Sequence, residues 1–216
     1  MVYDDRLKRK IPKGWQAIEL REYLTANRGV SYSGKDITGK GVPMINLNSF
    51  NVDGTFKLEG TKSYSGAYTP SKVLKALDLV MCNTQQTALD PQKDIIGKSF
   101  LVPDIFENEV VSSHHVTTIK VKVDDLKFYL NTLFNTEYFH RYISGYATGT
   151  NILGLNFEGV LSYQTEIPTS DLLLRFKNIV VNIERQRNRI VKENLQLTQL
   201  RDWLLPMLMN GQVKID

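Results

Sequence analysis

The sequence predicts an α+β protein: a mixed α/β globular head over residues 1–168, then a long coiled-coil helix within residues 169–216. Three observations predict it. Before Pro168 the apolar runs are short, of strand length, and alternate with turn-forming Gly, Asn, Asp and Pro. One stretch between 124 and 143 instead carries helical spacing. After Pro168, Gly and Pro vanish until Pro206, while the larger apolar residues recur every three or four positions.

The elements follow in order. Residues 1–10 are polar, and Ile11-Pro12-Lys13-Gly14-Trp15 opens ordered structure, with Trp15, Ile18 and Leu20 as early core candidates. The stretch 29–41, rich in Gly, Ser and Lys, reads as an exposed loop, and 42–47 as a short strand. Asp53-Gly54 signals a turn, and the polar stretch 57–68 follows. Residues 77–82 have the length of a buried strand and lead to the polar tip Asn83-Thr84-Gln85-Gln86-Thr87. Asp90-Pro91 turns the chain, and 95–102 makes another strand. Ile119, Val121 and Val123 alternate with Thr118, Lys120 and Lys122, the period of a half-buried strand. Asp124 or Asp125 caps a helix to about residue 143, with Leu126, Tyr129, Leu130 and Leu133 on one face. The stretch 144–151 is loop, and Thr169 or Ser170 caps the terminal helix.

That helix carries a heptad seam. Phe176, Ile183, Ile190, Leu197 and Leu204 occupy its first core position. Ile179, Gln186, Glu193, Leu200 and Met207 occupy the second. Over 170–204 the rod measures ~50 Å at ~1.5 Å per residue, longer than its own head can cover. Val181, Val191, Leu195 and Trp203 lie off the seam, so the helix is apolar on more than one side and wants more than one neighbour. The plainer alternative is a helix lying back across its own domain.

Composition bounds the function. With 42% hydrophobic and 23% charged residues the 216-residue chain is globular, and its net charge of +4 leans mildly towards an acidic partner. The single cysteine, Cys82, allows no internal disulfide and suits a reducing cytoplasm. No apolar run reaches the ~18 residues that span a bilayer, so no membrane partner is expected. No phosphate loop, no Gly-x-Gly-x-x-Gly and no Gly-x-Ser-x-Gly occurs. All seven prolines are isolated, so the Pro-Pro signature of amino-methyltransferases is missing. His114 and His115 are adjacent, and neighbours on a strand point to opposite faces, so they cannot jointly chelate a metal. Neither catalytic nor metal-binding residues are assigned.

Several stretches resemble, in order, one half of the DNA-specificity subunit of type I restriction-modification systems. They are Ile11 to Trp15, Gly41-Val42-Pro43-Met44-Ile45-Asn46, Leu77-Asp78-Leu79-Val80, the small-residue loop from Gly145, and Glu166-Ile167-Pro168. Leu200-Arg201-Asp202-Trp203-Leu204-Leu205-Pro206-Met207-Leu208-Met209-Asn210-Gly211 resembles the family's ending. Where the family has glycine before Asp78, this chain has Leu77.

The resemblance implies a noncatalytic target-recognition domain that reads half of a split sequence in double-stranded DNA. The helix would set half-site spacing and dock methyltransferase subunits, which hold S-adenosylmethionine, so this chain itself carries no cofactor. A separate restriction subunit would be the motor-nuclease. Family subunits usually hold two recognition domains and two helices; this chain has one of each. It is therefore either a half-subunit that pairs as a homodimer or a piece that pairs with a second specificity half.

Base edges are read by Asn, Gln, Arg and Lys, while Lys and Arg hold phosphates. Loops mixing these types supply the DNA-binding candidates. The amide tip gives Asn83, Thr84, Gln85, Gln86 and Thr87, and Lys93 and Lys98 lie near it. The stretch 57–68 gives Lys57, Lys62, Ser63, Tyr64 and Tyr68. Lys35 and Lys40 flank the glycine-rich loop, His114 and His115 precede a strand, and Tyr146 and Thr148 sit in the 144–151 loop. A coiled-coil adaptor without DNA binding, or a nuclease with an unrecognised site, are the rival readings. Steep salt dependence of duplex affinity separates a DNA reader from an adaptor.

Overall fold

The computed structural model describes residues 1–86 and 94–211, with only the backbone described at Gln86. Strand Leu79–Cys82 lies at the middle of the head, and all four of its residues are buried. It pairs antiparallel with Ser99–Leu101 on one side and with Val116–Val121 on the other, and Leu24–Arg28 completes the sheet. Side chains alternate across a strand, so Leu79 and Met81 enter the main core and Val80 and Cys82 a second one. Covering both faces requires an unbroken apolar run, as the sequence has here.

The same two-sided cover corrects the alternation expected for 118–123. In Val116–Val121 the first four residues are buried, Thr117 and Thr118 included, and exposure begins only at Lys120. Period two marks a half-covered strand, and this one is wrapped by the second core.

A second sheet runs in the order Lys62–Tyr64, Ile37–Ile45, Val110–Ser112, Val73–Leu74, with a parallel pair at its centre. It corrects the expected 29–41 loop. Ile37–Ile45 is one strand whose register breaks between Ile37 and Val42, leaving Thr38, Gly39, Lys40 and Gly41 exposed in a bulge. The glycines that suggested a loop serve that bulge: Gly41 has φ +107°, and a Cβ there would lie 2.1 Å from the Tyr64 carbonyl oxygen. Within 95–102 only Ser99–Leu101 is strand, because Gly97 turns the chain at φ +72°.

The expected helix over 124–143 is two: α1 (Leu126–Phe134) and α2 (Glu137–Ser144). Asn135 breaks them apart, since its amide donates to the Ser99 carbonyl at 2.8 Å and accepts from the Ser99 N–H at 3.2 Å. Thr136 then caps α2 by accepting from Phe139 N. Asp125 occupies the cap position of α1 without a side-chain cap bond; its carboxylate binds Lys177, and that of Asp124 binds Lys127. Leu126 and Leu130 are buried as expected, joined by Phe128 and Phe134. Ala147–Thr148 is a short strand inside the expected 144–151 loop, and Ile152–Leu155 links it to Thr84–Gln86. The short α3 (Glu158–Leu161) follows.

Helix α4 (Ser170–Met209) has 40 residues, which makes it ~60 Å long. Thr169 occupies its cap position without a side-chain bond. The helix runs through Pro206 in its last turn, where the proline lacks the N–H that would bond the carbonyl of Asp202 and only a few helical residues follow. Leu173, Phe176, Val180 and Val181 pack on the main core, and the Lys177 ammonium meets the Asp125 carboxylate at 2.6 Å. Asn188 is buried, and a cavity between Phe56, Leu58, Val191, Leu195 and Thr198 extends the contact. Among the described residues, no helix is long and apolar enough to cross a membrane.

Leu77 stands where the resembled family has glycine, and its φ is +65°. Left-handed backbone costs a residue with a Cβ about 1–2 kcal/mol. Its side chain offsets part of this by packing on the main core. Leu77→Gly should therefore shift stability by less than about 1 kcal/mol, whereas Leu79→Ala should cost about 2–5 kcal/mol; urea denaturation measures both.

Candidate nucleic-acid interface

The head's candidate site forms where the two sheets meet. Val110–Ser112 ends one sheet, Val116–Val121 begins in the other, and residues 113–115 make the turn between them. Ser113 N donates to Ile45 O, His114 N to Val30 O, and Val116 N to Ser113 O, which fixes the turn on three sides. The strand beneath must pass very close, because Val30 N donates to Ser112 O at 2.6 Å. Only glycine fits at position 29, where a Cβ would stand 2.2 Å from the carbonyl oxygens of both Ser112 and Ser113.

This turn corrects the expectation that His114 and His115 face opposite ways. They lie in a tight turn rather than a strand, and their rings are 3.9 Å apart. The Tyr32 ring stands 5.5 Å from His114, and the Lys62 ammonium is 3.5 Å from the Tyr32 hydroxyl. Burial pushes the His115 pKa down, and His114, Lys62 and Arg28 push it the same way. Two half-exposed imidazoles, a phenol and two cations therefore share one surface. Lys62, His114 and His115 were legible in the sequence. Arg28 and Tyr32 were missed, although Arg28-Gly29-Val30-Ser31-Tyr32 mixes a cation with an aromatic residue.

The amide tip needs correction. Asn83 is 2% exposed: its amide donates to His114 O at 3.2 Å and Thr117 Oγ1 at 2.7 Å, and its own N–H donates to His115 O. It holds the histidine turn and cannot itself reach a base. Gln85 is 5% exposed, and its carbonyl accepts from Ile95 N and Ile96 N. Thr84 is half-buried and donates to Asn83 Oδ1. The backbone of Gln86 pairs with Ile152, while Thr87 and Lys93 lie outside the described residues. A polar tip looks exposed in sequence, but groups inside the head drew two of its amides inward: acceptors for Asn83, backbone donors for Gln85.

The remaining candidates scatter. Tyr64 is buried and donates to Ala67 O, so it serves a third, small core. Tyr68 donates to Glu109 at 2.9 Å. Ser63 is half-buried beside Pro43 in the second sheet. Lys35 and Lys40 are exposed around the bulge. Lys57 lines the cavity against α4, with Leu195 and Thr198. Lys98 is buried. Tyr146 packs on the main core, its ring 5.1 Å from Tyr142, and Thr148 is exposed on its short strand.

On α4 the seam faces away from the head over most of its length. Ile179, Ile183, Ile190, Leu197 and Leu200 are exposed, Ile179 and Leu197 by about 60%. Gln186 and Glu193 are exposed among them, and Leu204 and Met207 are half-buried. Phe176 departs from the seam's role, because it packs on the main core of its own head.

Two measurements check this geometry. Asn83→Ala leaves the His114 carbonyl and Thr117 hydroxyl short of a donor, so it should cost about 1–3 kcal/mol in urea denaturation. His115 has its folded pKa below the unfolded value of about 6.5, so the fold prefers the neutral ring. Stability should therefore fall as pH drops below about 6.5, and His115→Gln should flatten that part of a Tm-against-pH curve.

No family model matches the chain. It is 24% identical over 212 residues to the type I restriction enzyme HindI specificity subunit of Haemophilus influenzae, covering 94% of this chain and 42% of that protein. Its fold matches the crystal structure of the type I restriction-modification S subunit from M. genitalium with a TM-score of 0.63 at 11% identity. That match covers 92% of this chain and 47% of the other. The chain spans about half the length of both. In sequence and in fold together, the chain resembles one half of a type I restriction-modification specificity subunit.

Proposed function

We propose that this chain is a noncatalytic, cytoplasmic DNA reader, one half of the specificity assembly of a type I restriction-modification system. The head reads one half of a bipartite target in double-stranded DNA. Helix α4 sets the spacing between half-sites and docks methyltransferase subunits, which supply S-adenosylmethionine. A restriction subunit joins these in the full complex. The observation that carries the reading is the two-sided helix. One face is committed to its own head through Leu173, Phe176, Val180 and Val181, while the seam from Ile179 to Leu200 is exposed. An apolar stripe that large on a water-soluble rod marks an association surface.

The seam suits a second copy or a second specificity half. Two-fold pairing would place two heads at the ends of one rod, and the target would then be an inverted repeat with an unspecified spacer. In the head, Arg28, Lys35, Lys40 and Lys62 supply cations for phosphates.

Replacing Ile183 and Ile190 together with Asp should abolish self-association and binding to methyltransferase subunits in light scattering, with the head's circular dichroism unchanged. A well-behaved wild-type monomer at micromolar concentration, with no affinity for those subunits, would count against the reading. Duplex affinity measured by fluorescence anisotropy should fall steeply with salt. Lys62→Ala should weaken binding to every sequence alike and reduce the log–log salt slope by about 1. A duplex affinity independent of salt would favour an adaptor.

A further inference from the structure

We propose that His114 and His115 form a paired base-reading element that presents two Nε2–H donors to acceptor atoms in the major groove of duplex DNA. This inference rests on the reading of the head as a DNA reader and assigns specificity to one turn of it.

The argument begins with the hidden side of the rings. Nδ1 of His114 and Nδ1 of His115 are both buried, and neither meets a hydrogen-bond partner among the described residues. A neutral imidazole carries its single proton on one nitrogen and leaves the other as an acceptor. Burying an N–H without an acceptor is the rarer and costlier arrangement, while an acceptor lone pair is more often left unpaired. Both protons therefore belong on Nε2.

The surroundings reinforce this for His115. Its burial and the nearby His114, Lys62 and Arg28 all oppose a positive ring. With rings 3.9 Å apart, two imidazolium charges would also repel. A phosphate clamp needs positive charge, and the cations beside the turn already provide it. Two neutral donors side by side suit a different target, the acceptor-rich edge of a purine: guanine offers N7 and O6 there, and adenine N7.

The mounting is rigid enough for reading. Three backbone hydrogen bonds hold the turn, and Asn83 clamps the carbonyls of both histidines from the neighbouring strand. Tyr32, with its ring 5.5 Å from that of His114, limits the rotation of that imidazole. Asn83 is therefore a positioning residue, and the histidines are the reading groups.

The test has two arms on the full chain. Imidazole 15N–1H correlation spectra at pH 7 should place the proton of both rings on Nε2; a Nδ1–H tautomer or a doubly protonated ring overturns the proposal whether or not DNA binds. In the second arm the probe is a pool of duplexes with a randomised central segment, selected by binding and sequenced. His114→Ala and His115→Ala should each lose about tenfold or more of the base preference at one or two positions, and His→Gln, which keeps a donor, should restore part of it. Lys62→Ala should lower recovery of all sequences without changing the preference. Thermal melts identify variants that fail to fold, for which the Gln substitutions stand in. Preferences unchanged in both histidine variants, with a reduced salt slope instead, would make the pair phosphate contacts and overturn the proposal. A wild-type chain with the expected tautomers that selects no sequence would sink the DNA-reading function itself, and this assignment with it.

Discussion

The burial of strand Leu79–Cys82 on both faces is the constraint on which the head depends. Its four side chains are divided between two cores, so sliding by one residue would put every side chain in the wrong core. That fixed register determines where Asn83, the next residue, emerges. Asn83 in turn holds the His114–His115 turn through two hydrogen bonds, to the carbonyls of both histidines, and bonds Thr117 beside it. A surface feature with two half-exposed rings thus inherits its position from a buried strand. Gly29 completes the constraint from below, since any side chain there would push the turn off its seat.

Helix α4 resolves a conflict that its sequence contains. An amphipathic helix on a globe needs one apolar face. This one has two, and they are used differently. Leu173, Phe176, Val180 and Val181 seal the main core, assisted by the Lys177–Asp125 ion pair. The other face carries Ile179, Ile183, Ile190, Leu197 and Leu200 into solvent. Burying those five side chains against a partner would contribute of order 1 kcal/mol or more each. Gln186 and Glu193 within the stripe are better suited to fixing register than to adding strength. Arg189 pairs with Glu193 of the stripe, whereas Arg187 pairs with Glu184, which lines a cavity against the head. The exposed Arg189–Glu193 pair adds little stability by itself, but it orders long side chains along the stripe.

The polar groups of the head divide along similar lines. Some serve the fold: Asn135 links α1 to strand Ser99–Leu101, Gln85 serves two backbone donors, and Arg9–Glu166 and Arg21–Glu158 tie the N-terminal region to strand Gln164–Ile167 and to α3. Others, including Lys35, Lys40 and the rings at 114–115, are left facing solvent. Burial also pushes the Cys82 thiol up to about 12, which leaves it a packing residue. Only the second group is available to a ligand, and it is smaller than the roster of polar loop residues suggests.

The sequence by itself determined what depends on neighbours along the chain. The uninterrupted run Leu79–Cys82, the Gly- and Pro-free span leading into α4 and its heptad seam are local patterns, and each element formed as its period required. It also determined the order of elements that likens the chain to specificity subunits. Tertiary structure decided what depends on distant partners. Thr118 is buried because a second core lies behind its strand, and the 124–143 helix breaks because Asn135 finds Ser99. Phe176 left the seam because its own head was nearer. Asn83 and Gln85 have the chemistry of readers, but backbone groups from elsewhere in the chain occupy them first. Residue type states what a side chain can bind; only the packed chain decides whether it is still free to do so.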